Sequence, residues 1–235
     1  MTHSTTELIR IAHEYFPLGL EQGNPQWEQT REAQRQKAAR VPASAAYDTW
    51  RGLLSRLSIR FASERSPDIE VVNHSLFLQS PVAAWRSDRC FTGALCLPAR
   101  SPKETHHQLD FVVSFVVPYY ALRSSHFEDD PTPLRPPSQR GRLVFQGDTC
   151  YVSPPDPNAE EDPNEKARFR KVHSFELSAD EDLFARGITE EIEATFPGHK
   201  PIWPEVGLTV VPEVEAGNKA FGEATIFTCL FSDDW

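Results

Sequence analysis

No apolar run in the 235-residue chain is long enough to cross a bilayer as a helix; the longest, FVVSFVVPYYAL at 111–122, is short and carries Pro118. The opening MTHSTTELIRIAHEYF places Glu7 and Arg10 inside its apolar stretch and has no small-residue cleavage site, so it lacks the uninterrupted apolar segment expected of a secretory signal. These absences point to a cytoplasmic protein. Cysteine is scarce: Cys90, Cys96, Cys150 and Cys229 are the only ones, and three of them lie in apolar alternating stretches where a reduced thiol behaves as a small hydrophobe. A disulfide framework is excluded on this reading. There is no G-x-S-x-G elbow, no P-loop, no H-E-x-x-H and no paired C-x-x-C, and GNKAFG lacks the spacing and the Lys-Ser/Thr ending of a phosphate cradle. Serine hydrolase, nucleotide hydrolase and zinc-site readings lose their usual support, and nothing calls for a cofactor.

Weaker chemical candidates remain. THHQLD brings His106, His107 and Asp110 close in sequence, but adjacent residues of a strand point to opposite faces and cannot share one metal ion there. Cys150, near a QGD turn, could act as a nucleophile only beside a base such as His126 or His173. Glu176, Glu205 and Glu223 stand beside expected strand ends, where a carboxylate pair of glycosidase type is conceivable and surface acids are the default. Arg31, Arg35, Lys37, Arg40, Arg51, Arg56, Arg60 and Arg65 are interleaved with Glu28, Glu32, Asp48 and Glu64, the pattern of solvated helix faces and not of a nucleic-acid footprint.

What the chain has in excess is acid, and it is unevenly placed. The net charge is −10, with 34 acids against 24 Lys and Arg. Residues 1–155 are nearly balanced, whereas residues 156–235 hold 18 acids against 7 bases, a surplus of −11. Such a field repels nucleic acid and anionic membrane and speeds encounter with a cationic partner.

The periodicity gives an α+β fold with a largely antiparallel sheet, N-terminal helices and one helix of the C-terminal half packed on it. The expectation is one domain over 1–235, helical to about residue 66 and sheet-containing over about 67–235. Ser4 and Glu7 have capping-box spacing before a helix from about Thr5 to Phe16. Asn24 and Pro25 read as the cap of a second, mostly exposed helix containing Trp27. Tyr47, Trp50, Leu54, Leu57 and Phe61 form the apolar stripe of a third. Strands follow at 69–78, 90–97 and 108–122, the last in the sheet centre, and a short strand is expected in RLVFQGDTCYV between proline-rich linkers at 129–141 and 153–166. RKVHSFELS reads as another strand; Ser178 and Glu181 cap a helix striped by Leu183, Phe184, Ile188, Ile192 and Phe196; and 207–214 with 224–231 read as a closing hairpin.

Acids and aromatics together suggest protein binding. Glu160, Glu161 and Asp162, Glu213 and Glu215, and finally Asp233, Asp234 and Trp235 supply fixed negative charge, while Trp203 and Trp235 offer aromatic area of the kind that anchors interfaces, or else sit at the edge of the core. The segments EEIEATFPGH, EVGLTVVPEV and FGEATIFTCLFSDDW, mainly within residues 175–235, make the chain resemble the immunity proteins of bacterial polymorphic toxin systems. That resemblance implies a non-enzymatic cytoplasmic inhibitor that binds a cognate protein toxin, with no role for nucleic acid or membrane. A basic, nuclease-like toxin would suit the charge. The alternatives are a small hydrolase or transferase whose site the sequence does not display, and a scaffold subunit.

Overall fold

A computed structural model describes residues 3–61, 69–75, 89–98, 107–129, 142–146, 149–153, 169–217 and 219–232. The first helix, α1 (Thr5–His13), starts where the sequence places it: Glu7 N–H donates to Ser4 Oγ and Ser4 N–H to the Glu7 carboxylate. The second starts later than expected. Asn24 Oδ1 accepts the Gln26 N–H and closes a turn, a 3-10 turn follows at Trp27–Gln29, and Thr30 caps α2 (Arg31–Ala45) through the Ala33 N–H. Asn before Pro carries both meanings, and here the local Asx turn prevails. Trp27 is buried, as are Ala33, Gln36 and Ala43 of the otherwise polar α2. α3 (Tyr47–Phe61) buries Tyr47, Trp50, Leu53, Leu54 and Leu57.

The sheet is built on β1 (Glu70–Asn73), β2 (Cys90–Leu97), β3 (His107–Ser114) and β4 (Tyr119–Asp129); β5 (Arg142–Gln146) and β6 (Thr149–Ser153) form a separate hairpin, and β7 (Phe169–Ser174) returns to the main sheet. The order is β1-β2-β3-β4-β7, every pair antiparallel, and β8 (Lys200–Pro201) adds a short parallel contact beside the start of β4. The fold is α+β, and β3 is its central strand.

Two strand readings need correction. The stretch 108–122 is not one strand: Ser114 Oγ accepts the N–H groups of Val116 and Val117 and donates to the Leu230 carbonyl at 2.7 Å, so the chain turns over and 119 begins the next strand. Both strands are covered on both faces, which removes the alternation that would have marked the break. Likewise RLVFQGDTCYV is two strands, β5 and β6, not one. The linkers at 130–141 and 154–166 lie outside the described residues, as does the 76–78 end of the first expected strand.

The two faces of the sheet carry two apolar clusters. Phe91, Leu95, Leu109, Phe111 and Val113 face α3 and α4 (Ala179–Thr195), with Trp50, Leu57, Ile188 and Ile192 from those helices. Cys90, Val112, Tyr119 and Ala121 face the other way, towards Leu8, Ala12 and Phe16 and the C-terminal segments. α4 has the expected capping box, but Leu183 is 66% exposed instead of joining the stripe. Arg56 and Arg60 of α3 pair with Glu191 and Glu190 of α4, at 2.8 and 2.6 Å. Cys90 and Cys229 are buried thiols and Cys96 is half-buried.

The expected closing hairpin is absent. Pro204–Gly207 forms a helical turn, α5; a single bridge joins Val210 to Thr225; and 226–230 is helical, α6 (Ile226–Leu230), with Thr225 accepting the Thr228 N–H and the Thr228 hydroxyl accepting that of Thr225. All five residues of α6 are buried. An apolar run buried on every side has no period to read, so a strand and a helix look alike in sequence. Gly207 is required where α5 lies on α6: a Cβ there would stand 2.3 Å from the Phe227 ring.

Tyr120, fully buried, donates its hydroxyl to Glu193 Oε1 at 2.8 Å. Burial, reinforced by that carboxylate, pushes the phenol well above its ordinary value. A group whose folded value is raised contributes stability below the unfolded value and loses it as pH rises, because the unfolded chain then releases a proton the native state retains. Above about pH 10, the ordinary tyrosine value, the urea midpoint should fall, and Tyr120→Phe should flatten that fall while costing little at pH 7.

Candidate functional site

The C-terminal segments place four large apolar side chains in solvent on neighbouring stretches of backbone. Trp203 caps the N-terminus of α5 and is 66% exposed; Leu208 and Val210 follow it, and Phe221 leads into the 224–225 segment that bonds back to 209–211. Trp203 stays outside because Pro204, at the first position of α5, fixes the turn that aims the chain, while Ile202 and Gly207 on either side are buried. Exposed carboxylates stand on the same stretches: Glu205 on α5, Glu213 in the loop after Val210, and Glu223 in the turn after Phe221. None of these three has an ion-pair partner among the described residues. Apolar anchors fringed by unpaired acid form a surface suited to a cationic protein with its own apolar groups.

The sequence-based residues divide accordingly. Glu213 is exposed, with a left-handed backbone (φ 54°) held by its carbonyl accepting the Gly19 N–H at 2.9 Å. Glu215 is half-buried, and its carboxylate accepts the Gln22 N–H at 2.6 Å, so it braces the 19–24 loop from within. Glu160, Glu161, Asp162, Asp233, Asp234 and Trp235 lie outside the described residues. Glu205 and Glu223, first noted as carboxylate candidates for glycosidase chemistry, join the exposed face instead. Leu208, Val210 and Phe221 were missed, because a hairpin reading turned alternate residues inward. Pro204 was the available signal, since proline favours the first position of a helix and so argues against a strand starting there.

The N-terminal cations behave as solvated helix residues. Arg35 pairs with Glu14 at 2.7 Å, Lys37 with Glu28, and Arg51 with Asp48 at 3.7 Å. With Arg56 and Arg60 bound to α4, five of the eight cations are paired with carboxylates, and Arg65 lies outside the described residues.

Two polar clusters lie inside the sheet region. On the α4 face, His107 Nε2 bonds Glu181 Oε1 at 2.8 Å, both residues buried, beside a cavity of about 400 Å³ walled by Ile69, Leu97, Pro98 and Phe184. Glu181 is also the capping carboxylate of α4, taking the Ser178 N–H and hydroxyl. Its oxygens are thus committed to His107 and to the helix start, and among the described residues no Ser, Thr or Cys nucleophile lines the cavity. On the opposite face, Asp110 accepts from Gln108 at 2.6 Å, from Ser125 at 2.9 Å and from Arg123 Nε at 3.4 Å, with His173 Nδ1 at 4.0 Å. In a hydrolytic triad the imidazole stands between hydroxyl and carboxylate; here the carboxylate stands between them, and the Ser125 proton points at Asp110. His107 and Asp110 stand on opposite faces of β3, while His106, whose opposition to His107 was expected, and the Cys150 side chain lie outside the described residues. Among the described residues no group of three His, Cys, Asp or Glu is placed to hold a metal ion, and no helix is long and apolar enough to cross a membrane.

Comparison with protein-family models, with curated proteins and with solved structures finds no match to this chain. The functional reading therefore rests on the surface itself and on the sequence resemblance noted above.

Proposed function

We propose that the protein is a non-enzymatic inhibitor, acting in the cytoplasm, that binds and neutralises a cognate bacterial protein toxin through an acidic, aromatic-bearing surface. The observation that carries this reading is the exposure of Trp203, Leu208, Val210 and Phe221 on stretches of backbone bonded at 209–211 to 224–226, with exposed Glu205, Glu213 and Glu223 on the same stretches. Large apolar groups left in water on one part of a surface otherwise well able to bury them mark a contact site. The resemblance to immunity proteins supplies the class of partner, and the −11 balance of residues 156–235 supplies its sign: a basic toxin, a nuclease above all, whose substrate groove is built for negative charge.

The test is co-expression with the product encoded beside this gene, followed by binding kinetics on the purified pair. Growth should be rescued without any turnover by the inhibitor. Trp203→Ala should weaken the complex by about 2 kcal/mol or more, the scale of a buried aromatic anchor. Reversing Glu205, Glu213 and Glu223 together to lysine should slow association by about tenfold and flatten its salt dependence, leaving dissociation less changed. Binding indifferent to both sets of changes would remove this face from the interface.

A further inference from the structure

A second site lies on the other flank of Trp203, and it has the opposite electrostatic character. A cleft of about 190 Å³ opens between the start of α1 and α5, lined by His3, Leu8, Tyr119, Lys200, Pro201, Ile202, Trp203 and Val206. Leu8 and Ile202 are buried and form its floor, while Trp203 and Val206 stand as walls. An apolar cavity of roughly 150 Å³ holds one benzene ring, so this cleft admits a short hydrocarbon chain or a single ring.

Its polar lining is one-sided. Tyr119 and Lys200 are register partners of the parallel β4–β8 contact, so their side chains leave the sheet on the same face and side by side. Lys200 is exposed and has no ion-pair partner among the described residues. The Tyr119 oxygen accepts the His3 N–H at 2.8 Å and its hydroxyl also meets His3 Nδ1 at 3.3 Å, a long neutral contact that a ligand carboxylate would outcompete. Among the described residues no carboxylate lines the cleft, in a chain with 34 of them. An exposed ammonium and a buried hydroxyl side by side in an apolar slot match a ligand with a hydrocarbon body and a single anionic head.

We propose that this cleft binds a short apolar monocarboxylate, its hydrocarbon lying between Leu8, Ile202, Val206 and Trp203 and its carboxylate on Lys200 and Tyr119. The same chemistry is offered by a free carboxylic acid and by the last residue of a polypeptide ending in an aliphatic side chain. The site is independent of the inhibitor reading, since it requires no toxin.

Titration of the full-length protein by two-dimensional amide NMR, with hexanoate and with hexan-1-ol, tests it. Hexanoate should give saturable shifts at Ile202, Trp203 and Val206 and bind about tenfold or more tightly than the alcohol, the margin of a charge-assisted contact. Lys200→Met should erase that margin without weakening hexan-1-ol, and Val206→Phe, which fills the slot, should abolish both. Equal binding of acid and alcohol, or shifts that do not saturate at these residues, would overturn the proposal. N-acetyl-Gly-Leu with a free carboxylate identifies the source: tighter binding than hexanoate assigns the ligand as a chain end, weaker binding as a free acid, and either sustains the site.

Discussion

Asp110→Ala should destabilise the protein by about 3–5 kcal/mol, the usual consequence of removing one partner of a buried ion pair. Asp110 and Arg123 face each other in register across β3 and β4, and both side chains are about 95% withdrawn from solvent, at 5% and 6% relative exposure. Without Asp110 the Arg123 guanidinium loses a carboxylate on its own strand pair, while Gln108 and Ser125 lose their acceptor. The cost comes from the shared acceptor that Arg123, Gln108 and Ser125 lose together in a buried site. A falsifiable corollary follows: Asp110→Leu combined with Arg123→Met should be far less damaging than Asp110→Ala, because removing both charges also removes both desolvation penalties. Urea unfolding of the three variants checks this. A loss below about 1 kcal/mol for Asp110→Ala would mean that the pair behaves as a solvated surface bridge.

The readable parts of the fold were those whose signal is local. Ser4 with Glu7 and Ser178 with Glu181 are capping boxes in sequence and in structure, because a cap is decided by four consecutive residues. The stripe of α3 was visible because one side of that helix meets water. Where burial is complete the signal vanishes: β3 and β4 merged into one run, and α6 passed for a strand. Leu183 shows the converse error, an apolar residue in helical register that is exposed and lines the cavity beside the His107–Glu181 pair instead of joining the core. Of the proposed surface, Trp203 and Glu213 were identifiable by type and place. The pairing of Arg56 and Arg60 with Glu191 and Glu190 was not, since 135 residues separate Arg56 from its carboxylate. That pairing offsets two acids of the C-terminal surplus, whereas Glu205, Glu213 and Glu223 have no ion-pair partner among the described residues.

Two tryptophans of this chain should respond to truncation in opposite ways, and the contrast separates stability from binding. Trp50 has 0% exposure, stacks on Phe91 with centroids 5.3 Å apart, and lies at a tilt 5.7 Å from Phe111. Its indole N–H donates to Asn73 Oδ1 at 3.1 Å, and Asn73 in turn donates to the Tyr47 hydroxyl at 2.8 Å, so the ring ties α3 to the β1 edge of the sheet. Trp50→Ala should cost about 3–5 kcal/mol, combining lost apolar burial with a cavity that close-packed neighbours cannot fully close. Trp50→Phe should keep part of the stack and lose less. Trp203→Ala, at 66% exposure, should change the unfolding free energy by no more than about 0.5 kcal/mol, yet it is the substitution expected to damage the complex most. If calorimetry gave the two alanine variants similar losses, Trp203 would be a core-edge residue, and the surface built around it would lose its anchor.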